Sequence, residues 1–109
     1  MSDAPSPVPP QPPYPAAFHY GPGHLIVYAN PPFIEVFGPG SLGQPAREAM
    51  VVLPPKAFEL MDLVLGSGKP GACRIVTPMG PRRLVVAARH DPETGETYGV
   101  TSHLRPVAP

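Results

Sequence analysis

Short apolar stretches alternate along this chain with breaks rich in proline and glycine, and their spacing separates strands from helices. AAFHY at 16–20 has strand-like composition, and GPG at 21–23 supplies residues suited to a tight turn. HLIVYAN at 24–30 is β-branched and aromatic, so a second strand pairing back on the first is predicted. The apolar period then changes. In PPFIEVFG, Phe33, Ile34 and Phe37 fall on one helical face, and Gly38 with Pro39 ends the turn. Asn30 stands where a helix N-cap is needed, because its side-chain oxygen accepts from exposed N–H groups of the first turn. Pro31 then takes the first helical position, where a missing N–H costs little.

Beyond Pro39, the segment 41–53 supports a short helix at best, around 45–50. Pro54 and Pro55 open the longest helix. Phe58, Leu60, Met61, Val64 and Leu65 give it a broad apolar stripe, Lys56, Glu59 and Asp62 take the other side, and Gly66 suits its C-terminal cap. The last third reads as three strands, 72–78, 82–90 and 97–105, with DPETGE at 91–96 as a hairpin loop. In the middle one Leu84, Val86 and Ala88 share a face, while Val85, Ala87 and Arg89 share the other. That second face is partly apolar as well, which predicts a sheet covered on both sides, one cover coming from another chain. Strands in runs with helices grouped between them predict an α+β domain with an antiparallel sheet.

Composition narrows the function classes. Seven of the 20 prolines lie in the first 15 residues, so 1–15 is expected to be a flexible, extended, solvated tail. The domain is set at 16–106, followed by a short C-terminal tail, 107–109. Formal net charge is zero, which argues against nucleic-acid binding by bulk electrostatics. The single cysteine, Cys73, allows no intramolecular disulfide and points to a reducing compartment. The N-terminus lacks the basic and apolar regions of a signal peptide, and no apolar run is long enough to cross a bilayer. A cytoplasmic protein with no membrane partner is therefore expected.

The element order, with HLIVYANPPFIEVFG, LGSGKPG between helix and strand, and DPETGETYGV before the last strand, resembles a PAS domain over about residues 17–105. The resemblance implies a five-stranded antiparallel sheet in the order 2-1-5-4-3 with short helices on one face. It implies a sensory or interaction module, often dimeric, that signals to an effector or regulatory protein. Asn30 corresponds to the family's helix-capping asparagine. A ligand pocket between sheet and helices would be lined by Ile26, Tyr28, Phe33, Phe37, Phe58, Met61, Val76, Val86 and Val100. The same residues serve equally well as plain core.

The resemblance also tests cofactors. Flavin photosensors of the family carry a reactive cysteine in a helix, whereas Cys73 begins a predicted strand. Haem sensors present a histidine from the long helix, and 55–66 contains none. Haem and flavin are thus disfavoured, and the ligand is left unknown. GSGKPG at 66–71 is similar to a phosphate-binding loop, but Leu63 and Pro70 occupy its required glycine and hydroxyl positions. No nucleophile elbow or metal spacing stands out. His19 and His24 flank a turn and approach one another at most as a pair. His90 beside Asp91 suits either a polar pair or a solvated strand end. Two function classes follow: a non-catalytic sensory module binding a small ligand or a partner protein, or a small α+β enzyme or carrier for an apolar ligand, with Tyr28 or His24 as its polar group.

Overall fold

In the computed structural model, which describes residues 12–107, five strands form one antiparallel sheet in the order β2-β1-β5-β4-β3. They are β1 (Ala16–Tyr20), β2 (Leu25–Ala29), β3 (Gly71–Thr77), β4 (Gly80–His90) and β5 (Thr97–Pro106). Between β2 and β3 the chain makes α1 (Pro31–Phe37), a single 3-10 turn (Pro39–Ser41), α2 (Ala46–Ala49) and α3 (Pro55–Ser67). This is the sheet order and helix placement expected. The central pairing of β1 with β5 joins the strands farthest apart in sequence.

The junction after β2 is built around Asn30, which is fully buried. Its Oδ1 accepts from Phe33 N at 3.1 Å, capping α1, and from Ala16 N at 2.9 Å. Its Nδ2 donates to the carbonyls of Tyr14 at 2.9 Å and Pro12 at 3.3 Å. One side chain thus starts a helix and fastens the chain entering β1. Leu104 N also donates to Pro15 O at 2.9 Å. Residues 12–15 were expected within a flexible, solvated tail; they are tied to the domain because proline-rich backbone leaves its carbonyls free as acceptors. The rest of that tail, 1–11, lies outside the described residues, as do 108 and 109.

α3 lays its apolar face over β3, β4 and β5, burying Ala57, Phe58, Met61 and Val64. It ends at Gly68 (φ 73), in the left-handed region that glycine enters at least cost, and not at Gly66. The core lies between this helical layer and the inner sheet face. Ile26, Phe33, Met50, Leu53, Ile75, Leu84, Val86, Val100 and Leu104 pack there with the α3 residues.

Two irregularities set side-chain directions. Phe18 pairs with Tyr28 and His19 with Ile26, so Val27 is the extra residue of a bulge in β2. Gly99 lies beneath β1, where a Cβ would stand 2.8 Å from Phe18 Cε1 and overlap the His19 carbonyl. The outer edge of β2 is covered by the loop before α2: Ile26 N donates to Gln44 O at 2.9 Å, and Ala46 N to His24 O at 2.9 Å. Among the described residues, β3 is left as the uncovered edge. No helix there is long and apolar enough to cross a membrane.

Candidate functional site

The inner face holds seven of the nine residues expected to line a pocket. Ile26, Met61, Val86 and Val100 are fully buried, Phe33 and Phe58 nearly so, and Phe37 is half-buried beside Phe33 at 4.6 Å between ring centroids. Tyr28 and Val76 are not among them. Tyr28 is 45% exposed because the Val27 bulge shifts the alternation and pairs it with Phe18 on the outer face. Val76 is 74% exposed because β3 turns Cys73, Ile75 and Thr77 inward, leaving Arg74 and Val76 outside. Ile75, adjacent in sequence, takes the core position.

Set into this apolar layer is a polar cluster. His19 projects inward from β1 and its Nε2 lies 2.7 Å from Ser102 Oγ on β5, all of it buried. His24 lies just before β2, and its ring packs edge-on to His19 at 6.3 Å between centroids. His24 Nε2 donates to Asp62 Oδ1 of α3 at 2.6 Å, and Arg47 Nη2 of α2 donates to Asp62 Oδ2 at 2.9 Å. The Nδ1 atoms of both histidines are buried without a hydrogen-bond partner.

Electrostatics follow from placement. Burial first, and repulsion from His24 second, lower the His19 pKa from 6.5 to about 4, a backbone hydrogen bond with His24 opposing them only in part. His19 is a neutral imidazole at neutral pH. Burial would raise the Asp62 pKa, but hydrogen bonds from His24 and Arg47 and the Arg47 charge outweigh it, so the carboxyl sits below its usual range. An ionised Asp62 accepts only, so Nε2 of His24 is the donor in that bond. Two histidines approach as the sequence allowed, but with Ser102 and Asp62 as partners. Among the described residues no group of three His, Cys, Asp or Glu could hold a metal ion. Ser102 is hydrogen-bonded to a histidine yet buried, so the pair presents no nucleophile to solvent.

Sequence reasoning missed Ser102, Asp62 and Arg47. Asp62 was assigned to the solvent side of α3. It does stand half exposed, and still one oxygen reaches inward to His24. His90 bonds Thr97 Oγ1 at 3.2 Å and does not pair with Asp91, which instead accepts from Glu93 N and Thr94 N in the hairpin. Cys73 is half-buried on β3, and burial raises its thiol pKa although Lys56 opposes the rise. As it is the chain's only cysteine, no helix supplies the thiol that flavin adduct chemistry uses.

The outer face carries no helix among the described residues. A cleft of about 300 Å³ runs between Pro12, Phe18, Tyr28, Arg89, Thr101 and His103. Arg89 stacks over Phe18 at 5.7 Å, and Tyr14 lies edge-on to His103 at 6.0 Å. A second outer cleft, about 430 Å³, is lined by Arg74, Arg83, Arg105, Pro106 and Val107. On the helical side a third, about 480 Å³, opens between α2 and the start of α3 beside Arg47 and Phe58.

The sheet order, the helical layer on one face and the asparagine-capped junction define a PAS-type fold. No family model matches the chain, and no curated protein matches it. Solved structures do. A light-oxygen-voltage domain studied with a flavin analogue is similar at 22% identity and TM-score 0.65, over 88% of this chain and 78% of that one. A sensory box sensor histidine kinase from Vibrio cholerae is similar at 16% identity and TM-score 0.68, over 88% of this chain and 83% of that one. The VqmA protein of the same organism, in a complex with ligand and DNA, is similar at 16% identity and TM-score 0.67, over 87% of this chain but 46% of VqmA. An RNA-binding light-oxygen-voltage receptor shares the fold over 28% of its length. These likenesses correct the exclusion of nucleic acid. Charge balance counts charges without placing them, and this fold occurs in chains that bind DNA or RNA.

Proposed function

We propose that this domain is a non-catalytic sensory signalling module that transmits by protein contacts, dimerisation among them, made through the outer face of its sheet. One observation carries the reading: the open cleft around Phe18, Tyr28 and Thr101 on that face, set against inner-face residues packed to near-complete burial. Exposed aromatic surface beside a concavity is the composition of a docking site. A reducing, cytoplasmic setting belongs to the same proposal and rests on the lone Cys73.

A second reading has its own support. The unpartnered Nδ1 atoms of His19 and His24 suit a small polar ligand read from within the helical layer. The experiment that separates the two combines sedimentation velocity with native mass spectrometry on the freshly purified full chain. Docking predicts concentration-dependent association that Thr101→Glu, at the centre of the outer cleft, abolishes. A tightly bound small molecule together with association insensitive to Thr101→Glu overturns it in favour of ligand sensing. Turnover of such a molecule, lost in His24→Gln, overturns the non-catalytic assignment.

A further inference from the structure

Net neutrality hides a segregation of charge. The five strands contain Arg74, Arg82, Arg83, Arg89 and Arg105, and not one Asp or Glu. The described carboxylates lie on the helices (Glu35, Glu48, Glu59, Asp62) or in the hairpin (Asp91, Glu93, Glu96). Strand register then concentrates the charge further. Arg74 pairs with Arg83, and Arg83 pairs with Arg105, so three guanidinium side chains stand in one row across β3, β4 and β5. All three are exposed on the outer face, and none makes an ion pair among the described residues, where both ion pairs involve Asp62.

Like charges directly opposite one another on neighbouring strands are destabilising. A fold that places three in a row, with no carboxylate beside them among the described residues and only the Tyr14 ring against Arg105, is arranged for an anion supplied from outside. Adjacent strands are about 4.8 Å apart, so the row spans about 10 Å. The next outward arginine along β4, Arg89, stands about 20 Å away by strand rise and stacks on Phe18. The positive strip is therefore short, and it lines a cleft of about 430 Å³ walled by Pro106 and Val107. That size and charge suit a compact ligand, not a long polyanion. Guanidinium forks match phosphate oxygens two at a time, and several adjacent phosphates give each arginine its own acceptor pair.

We infer that the Arg74–Arg83–Arg105 row is a binding site for a compact oligophosphate, the di- or triphosphate group of a small molecule. The site does not depend on the docking proposed above, since Thr101→Glu leaves the row intact.

The test is titration of the full chain with inorganic triphosphate at low salt, followed by calorimetry and by the arginine Nε–H resonances. Saturable one-to-one binding is expected, with Arg74, Arg83 and Arg105 shifting and Arg89 unmoved. Arg83→Gln and Arg74→Gln should each weaken binding at least tenfold, while Arg89→Gln leaves it unchanged. Without ligand, Arg83→Gln should raise Tm by about 2–4 °C through relief of repulsion, which separates lost binding from lost folding. The inference is overturned by absence of saturation at 10 mM triphosphate (roughly the weakest range worth calling a site), or by equal shifts at Arg89. It is also overturned if a single-stranded oligonucleotide or an acidic peptide binds this row more tightly than triphosphate.

Discussion

The inner and outer faces of the sheet are made by the same five strands, yet they handle polar groups in opposite ways. On the inner face each of these side chains has a partner, His19 with Ser102, His24 with Asp62 and Asp62 with Arg47, and only the Nδ1 atoms of the two histidines are left over. Burial makes an unmatched group expensive there, since water is unavailable to replace a lost partner. On the outer face arginines stand in register with no carboxylate among the described residues, because solvent screens the repulsion and holds its cost to tenths of a kcal/mol. The difference teaches where information is held. A change of protonation or contact inside must move α2, α3 and the sheet together. Outside, the fold tolerates a partner or ligand with little rearrangement of itself.

The sharpest break in the comparison comes from two neighbouring residues of β3. Ile75 is 1% exposed and Val76 is 74% exposed. Ile75→Ala removes packing against the core and should destabilise by about 3 kcal/mol, in the range seen for buried aliphatic truncations. Val76→Ala should change stability by less than about 0.5 kcal/mol. Urea unfolding of both variants checks it, and comparable losses would mean that β3 is in the opposite register.

A second test uses pH. His19 carries a folded-state pKa of about 4 against an ordinary 6.5. Between those values the unfolded chain binds a proton that the folded chain refuses, so stability falls as pH falls. The contribution is complete above pH 6.5 and lost progressively towards pH 4, at about 1.4 kcal/mol per pH unit, or about 2 kcal/mol by pH 5. His19→Gln keeps a group that hydrogen-bonds Ser102 but does not titrate. Its stability between pH 4 and 6.5 should be flatter than wild type by that slope. Parallel curves would show that His19 takes up its proton without difficulty and that the inner face is wetter than its burial implies.

The sequence made some of this legible and hid the rest for definable reasons. Element order, the Asn30 junction and the sheet order were readable because turn and cap chemistry is local, and the resemblance to PAS domains supplied the topology. The end of α3 was misplaced by two residues because Gly66 and Gly68 both suit a cap, and only Gly68 adopts the left-handed conformation. Tyr28 was placed inward by the resemblance and by alternation, which a bulge interrupts without a marker glycine or proline. In β3, Ile75 and Val76 give each alternate phase an aliphatic residue. The cue that decides between them is Arg74, which shares the Val76 phase and belongs in solvent. The polar cluster joins residues 19, 24, 47, 62 and 102, and the arginine row joins 74, 83 and 105. Both exist only through long-range register, which no local pattern encodes.

The smallest expected effect probes the seam between the two regimes, at Asp62. One of its oxygens faces the buried His24 and the other faces exposed Arg47, and the side chain is 50% exposed. Asp62→Asn retains an oxygen to accept from His24 Nε2–H and loses only the charge. Solvent screens the Arg47 pair, so the loss at pH 7 should be about 0.5 kcal/mol and should shrink in 1 M salt. Asp62→Ala removes the acceptor as well and strands a buried N–H, which raises the loss to about 2 kcal/mol. The folded-state pKa of Asp62 lies below the 3.8 of an unperturbed aspartate. Its contribution is therefore present above that unfolded value and disappears as pH falls through the lower folded one, a window beneath that of His19. Chemical denaturation of the two variants across pH and salt reads all three quantities. If Asn and Ala prove equally harmful, the charge of Asp62 outweighs its hydrogen bond from His24 at this seam.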